Sequence, residues 1–249
     1  MFSLILHSSA DQEDSLVAEL WESGTTGIVE EPCGIRAFFD RPSDPDELIH
    51  RFAEFSPELR EEAAVDWEQA TRDAWPPLVV GRFFLVAPWR SDPTPPGLLR
   101  LEVNPGMACG TGRHPATQLC LEAIGEYVEP GDRVLDVGTG SGILSAAALL
   151  VGASSVVSCD IDPLSIEVAR ERAGSSYFVG SADAVRPGWA DFVVANIDSA
   201  TLERIAPELR RVRSAESKLI LSGFPDWDAP EGFEPTQVLS RDGWLCFVC

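Results

Sequence analysis

From Arg133 to Ser222, short apolar, β-branched runs alternate with longer helical stretches, and this alternation constrains the fold more than any other feature of the chain. Strands are read at Arg133–Val137, Ser155–Asp160, 176–179, 190–195 and Lys218–Ser222, followed by two more strand-like pieces. Helices are read at 115–128, 142–151, Pro163–Arg172 and 199–212. Strands that are apolar at successive positions are covered on both faces, which happens when helical crossovers join parallel neighbours. The expected fold class is α/β, with a mostly parallel seven-stranded sheet over residues 106–249.

The first third follows a different order. Phe2–His7 is a short apolar strand, and Gln12–Ser23 has Leu16, Val17 and Leu20 at helical spacing behind Asp11 as a cap. Gly27–Glu31 and Ile35–Asp40 read as a hairpin around Pro32-Cys33-Gly34. Asp44–Phe55 reads as a helix with Pro45 near its start, and 61–66 returns as a strand. A βαββαβ order suggests a small ferredoxin-like α+β domain at 1–66. Between the two parts, seven of the 19 prolines fall in Trp75–Pro105, interrupting a strand-like RFFLV at 82–86. That density points to a Pro-rich linker at 67–105.

Charge narrows the partners. The 249 residues carry 40 acids against 19 Lys and Arg, a formal charge of -21. A binder of phosphate backbones needs basic arrays, so direct nucleic-acid binding is excluded and a basic protein partner is favoured. Residues 1–90 alone hold 18 acids against 7 bases. No apolar run reaches the roughly 18 residues of a membrane span, and the five-residue FSLIL at the start has no basic lead, so a cytoplasmic protein is expected. A monomer is expected as well. The six cysteines show no paired spacing apart from Cys246 and Cys249. Positions i and i+3 of a strand face opposite ways and cannot share a metal, so none is expected.

The chemistry concentrates at strand ends. VLDVGTGSGIL, Val134 to Leu144, ends a buried strand at Asp136-Val137 and places glycines at 138, 140 and 142 before a helix. Such a turn leaves room for a ligand against the main chain and aims free N–H groups at it. A dinucleotide fingerprint counted from Gly138 needs glycine at its sixth position, where Ile143 stands. The alternate spacing instead resembles the first motif of class I S-adenosylmethionine-dependent methyltransferases. Asp160 ends the next strand, 22 residues after Gly138, where it reaches the same crevice and can accept two ribose hydroxyls. The competing role of helix cap falls better to Asp162, before Pro163. Asp183, in GSAD, is either an acceptor for the adenine amine or a solvated loop acid. Asn196 ends the strand in DFVVANI, where it either orients an amine through its amide oxygen or simply forms a turn.

NPGMACGTGRHPAT, Asn104 to Thr117, closely resembles the signature ahead of the cofactor motif in bacterial ribosomal protein L11 methyltransferases. The resemblance continues through VLDVGTGSGIL, CDIDP, VVANI and LILSG, and reaches back into VDWEQATRDAWPPLVVGRFFLVAPW, covering about residues 65–223. It implies a Rossmann-like class I methyltransferase domain. Thr117, Gly138, Asp160 and Asn196 match the family's cofactor-binding positions, with Gly140 and Asp183 beside them. Gly110-Thr111-Gly112 would line the cofactor and the incoming amine, giving Thr111 and Asn196 the catalytic roles. After Asn196-Ile197 the family usually has a small apolar pair; here Asp198-Ser199 follow.

The resemblance implies S-adenosylmethionine as cofactor and N-methylation of lysine and α-amino groups of ribosomal protein L11. His114, in RHP, is either a base or a structural hydrogen-bonder. The alternatives are a methyltransferase of another protein or small amine, and a cofactor-binding module without catalysis.

Overall fold

The computed structural model describes residues 1–8, 13–31, 34–40, 43–61, 75–104, 111–226 and 233–249. The cap at Asp11, the turn at Pro32-Cys33, residues 62–66 of the expected fourth strand, and Pro105, Cys109 and Gly110 lie outside them. Two compact units divide the chain, Met1–Ala74 and Trp75–Cys249.

In the first unit β1 (Phe2–His7), α1 (Glu13–Glu22), β2 (Gly27–Glu31), β3 (Gly34–Phe39), α2 (Pro45–Arg51) and β4 (Glu58–Glu61) follow in order. The sheet runs β2-β3-β1-β4 with every neighbouring pair antiparallel. Period-2 alternation puts Phe2, Leu4 and Leu6 of β1 beside Ile35, Ala37 and Phe39 of β3, and Leu16, Leu20, Leu48 and Phe52 from the helices complete this core. The second helix is shorter than its apolar spacing suggests. Asp44 caps it by accepting from the Asp46 N–H at 3.0 Å, but it gives way after Arg51 to a 3-10 turn, Ala53–Phe55, and to Ser56 at φ 48°. The strand that follows therefore starts at Glu58, ahead of the expected 61.

The second unit opens with β5 (Leu78–Val80), β6 (Phe83–Val86) and β7 (Leu99–Glu102), a three-stranded sheet. This corrects the expected linker over the described residues 75–104. The prolines at 76, 77, 88, 93, 95 and 96 stand outside the strands, where no ladder N–H is needed. Between them Val80, Phe83, Leu85, Leu101 and Val103 join the main core.

Next come α3 (Pro115–Tyr127), β8 (Arg133–Val137), α4 (Ile143–Leu150), β9 (Ser155–Asp160), α5 (Pro163–Ala169), β10 (Ser175–Val179), β11 (Ala190–Asn196), α6 (Ser199–Val212), β12 (Arg213–Phe224), β13 (Gln237–Arg241) and β14 (Trp244–Val248). They form a seven-stranded sheet of order β10-β9-β8-β11-β12-β14-β13, parallel except at β14. Val134, Val156, Val194 and Ile220 face α3 and α4, whereas Leu135, Val193, Ala195 and Leu221 share a core with Leu202 and Leu209 of α6. Both faces are dry, as the unbroken apolar runs require. Among the described residues no helix is long and apolar enough to cross a membrane.

At the amino ends of β8 and β11, Arg133 holds Asp191 in a fork, Nη2 to Oδ1 at 2.6 Å and Nε to Oδ2 at 2.7 Å. These hydrogen bonds bring the Asp191 carboxyl down to about 2. Asp191→Asn is expected to lose roughly 1 kcal/mol of stability at neutral pH. A depressed pKa contributes fully above the ordinary value of 3.8 and loses its contribution as pH falls toward about 2. Urea unfolding should show the two proteins converging over that window; a difference independent of pH would contradict the assignment.

Candidate active site

The sheet order reverses at β8, with β9 on one side and β11 on the other, and the carboxyl ends of these strands open a crevice. Backbone and side-chain bonds fix its floor. The Gly138 and Thr139 N–H groups donate to the Cys159 carbonyl at 2.9 and 3.1 Å. The Gly140 N–H donates to Asp160 Oδ2 at 3.0 Å, so the acid that ends β9 also holds the glycine turn after β8. Asp160 Oδ1 accepts from the Asp162 N–H at 3.0 Å. Each carboxylate oxygen keeps acceptor capacity for a ligand. Asp162 caps α5 through the Leu164 N–H, as Pro163 after it suggests.

Beneath the turn lies Asp136, fully buried. Its Oδ2 accepts from Thr139 Oγ1 at 2.7 Å and Ser145 Oγ at 2.6 Å, and Ser158 Oγ lies 2.6 Å from Ser145 Oγ. Its Oδ1 has no partner among the described residues. Burial pushes the carboxyl above its usual range, and the two hydroxyls pull against that shift. An acid on a strand apolar on both faces is a signal readable in the sequence, yet Asp136 was not among the expected site residues.

A cavity of about 600 Å³ occupies the crevice, lined by Gly138, Gly140, Asp160, Asp183 and Asn196, with Ile161, Ser181, Ile197 and Thr201 among its other walls. Five of the expected site residues thus converge on one space. Isoleucines offer apolar faces to a flat base, and two carboxylates offer acceptors to hydroxyls and an amine. The walls suit a nucleoside. Ile161 and Ile197 directly follow Asp160 and Asn196, an adjacency readable in the sequence, whereas Ser181 and Thr201 join the cavity only through the fold.

Asn196 closes β11. Its Nδ2 donates to Thr117 Oγ1 at 3.2 Å, leaving the amide oxygen available to a ligand. Thr117, on α3, is buried and stands behind Asn196 rather than among the residues lining the cavity. Thr111 lines a separate small hollow with Trp75, Leu85 and Arg113. The Arg113 guanidinium stacks 4.6 Å from the Trp75 ring and donates to the Pro76 carbonyl, which draws this segment against the three-stranded sheet. His114 caps α3, with Nδ1 accepting from the Ala116 N–H at 3.3 Å, and packs edge-on against Trp244. That is the structural role of its two alternatives. Asp198, where the family usually has an apolar residue, caps α6 through the Thr201 N–H at 2.9 Å. This bond lowers its carboxyl pKa.

Known proteins carry the same pattern. Residues 5–249 match the family described as ribosomal protein L11 methyltransferase (PrmA). The ribosomal protein L11 methyltransferase of Deinococcus radiodurans is 36% identical over 259 aligned residues, covering 96% of this chain and 93% of the relative. That of Ralstonia pickettii is 39% identical over 200 residues, covering 76% of this chain and 66% of the relative. The crystal structure of a ribosomal protein L11 methylase from Lactobacillus delbrueckii subsp. bulgaricus superposes with a TM-score of 0.60 at 24% identity, over 69% of this chain and 96% of that one, a likeness of fold. With a match over nearly its whole length and a relative covered almost end to end, the chain belongs to the ribosomal protein L11 methyltransferase family.

Proposed function

We propose that this protein transfers methyl groups from S-adenosylmethionine to lysine and α-amino nitrogens of ribosomal protein L11. The observation that carries the reading is Asn196, which faces the cavity with its amide oxygen available while Thr117 holds its nitrogen. The names of the relatives supply the substrate. The bound cofactor supplies a methyl group on an already activated sulfonium. What the chain must do is hold a neutral nitrogen in line and keep water out. Asp160 takes the ribose hydroxyls, Asp183 the adenine amine, and Gly138 and Gly140 leave space against the main chain.

A free lysine has a pKa of about 10.4, so about one molecule in a thousand is neutral at physiological pH. Removal from water in the closed crevice lowers that value, and the Asn196 oxygen accepts a hydrogen bond from the neutral amine, aiming its lone pair. His114 is occupied as a cap, so the proton leaves to solvent rather than to this ring. Thr111 lines the separate hollow beside Trp75, so the orienting of the amine is assigned to Asn196 alone. The βαββαβ order and antiparallel sheet of the first unit support a ferredoxin-like domain that grasps the substrate, and its acidic balance suits a basic protein. The reading places the enzyme in the cytoplasm, as a monomer without direct nucleic-acid contact.

Incubation with methyl-labelled cofactor and the complete set of ribosomal proteins tests this. Label is expected in ribosomal protein L11, identified by mass. Label confined to another protein would overturn the substrate, and bound cofactor with no transfer would favour the binding module.

A further inference from the structure

Ile197, the residue after Asn196, sits between Gly138, in the turn after β8, and Gly223, in β12. Its N–H donates to the Ser222 carbonyl at 3.0 Å. A Cβ on Gly223 would lie 2.5 Å from the Ile197 carbonyl oxygen and 2.7 Å from its nitrogen. A Cβ on Gly138 would lie 2.4 Å from Ile197 Cγ2. Contacts this short do not occur between a real Cβ and its neighbours, so each glycine leaves room that Ile197 fills. The backbone of Ile197 takes the space beside Gly223, and its γ2 methyl takes the space above Gly138. Gly138 opens the turn after β8 at φ 75°, and Gly223 lies where the β12–β14 ladder shifts register.

We propose that Ile197 is a positioning residue for the transfer. Wedged between Gly138 and Gly223, it fixes the end of β11, and with it the Asn196 amide, against the turn that carries the cofactor. The proposal rests on the reading that Asn196 orients the amine. Its chemistry is narrow: the γ2 methyl branches from Cβ and reaches Gly138 directly. Valine keeps that methyl and loses only the δ carbon. Leucine has as many carbons as isoleucine but moves the branch one atom outward, leaving the space above Gly138 unfilled.

Two independent arms test it. In single-turnover methyl transfer to ribosomal protein L11, Ile197→Val should stay within about threefold of wild type, whereas Ile197→Leu should fall about tenfold or more, because small misplacements of reacting groups are costly. Because Ile197 also lines the cavity, the deficit of the Leu variant is read at saturating S-adenosylmethionine, where weaker cofactor binding no longer contributes and misplacement of Asn196 still does. The second arm needs no turnover. Gly138→Ala drives a methyl onto Ile197 Cγ2, and Ile197→Ala removes that atom. Thermal unfolding of the ligand-free protein should therefore show the double variant recovering part of the loss caused by Gly138→Ala, where independent sites would add. Equal turnover of the Val and Leu variants, or additive losses in unfolding, would overturn the wedge. A wild type that binds cofactor but transfers nothing would instead overturn the amine-orienting reading, and unfolding would still decide whether Ile197 locks the two glycines.

Discussion

Asn196→Ala is expected to slow single-turnover methyl transfer by about a hundredfold and to weaken cofactor binding far less, because a displacement of about 1 Å at the reacting atoms is that costly. The Asn196 side chain bridges Thr117 and the cavity, so its loss removes the only side-chain amide among the described residues lining that space. Asn196→Asp should slow the reaction too. A carboxylate beside the amine stabilises its protonated form and raises its pKa, so less of the reactive neutral form is present. Single-turnover rates and calorimetry on wild type and both variants check this. An alanine variant transferring at the wild-type rate would reduce Asn196 to a residue that ends β11.

Asp160→Ala is expected to weaken S-adenosylmethionine binding by about ten- to a hundredfold, the range for losing hydrogen bonds to a charged group. Two effects combine. The ribose loses its acceptor, and the Gly140 N–H loses the partner that holds the glycine turn at 3.0 Å. Asp160→Asn, which retains one carbonyl acceptor, should fall between wild type and alanine. Calorimetry with S-adenosylmethionine and with NAD as control measures this. Tight NAD binding with no affinity for the methyl donor would contradict the reading of the crevice.

Where local chemistry and tertiary packing agree, the sequence is legible. Arg133–Val137, Ser155–Asp160 and the helix at 199–212 stand where their apolar patterns place them, because strands dry on both faces and a helix apolar on one admit a single burial. Asp160 and Asn196 were legible for a related reason: polar residues closing apolar strands fall at the crevice in any open α/β sheet. Residues 75–104 misled because proline density was read as a property of the whole segment. The strands occupy the stretches between prolines, and Leu85 and Leu101 enter a core that becomes visible only once α3 is in place.

The site divides in the same way. Thr117 matches a family position, but that it stands behind Asn196 depends on the angle at which α3 crosses β11. The role of Thr111 follows from the family resemblance, whereas the hollow it lines depends on Arg113 stacking against Trp75, nearly forty residues earlier in the chain. Asp198 looked like a departure at a catalytic segment. Its carboxylate is the cap of α6, a role that the position before Ser199 could have signalled.

The central claim is that this crevice methylates nitrogen in ribosomal protein L11, and the most direct measurement is the chemical identity of the product. Purified ribosomal protein L11 is incubated with the enzyme and methyl-labelled S-adenosylmethionine, hydrolysed to amino acids, and the labelled species are separated. The account predicts label in Nε-methylated lysine and in the α-N-methylated first residue, with Asn196→Ala depleting both. Label released as methanol by mild base before hydrolysis, the mark of a carboxyl ester, or no label from an enzyme that binds the cofactor, would contradict it.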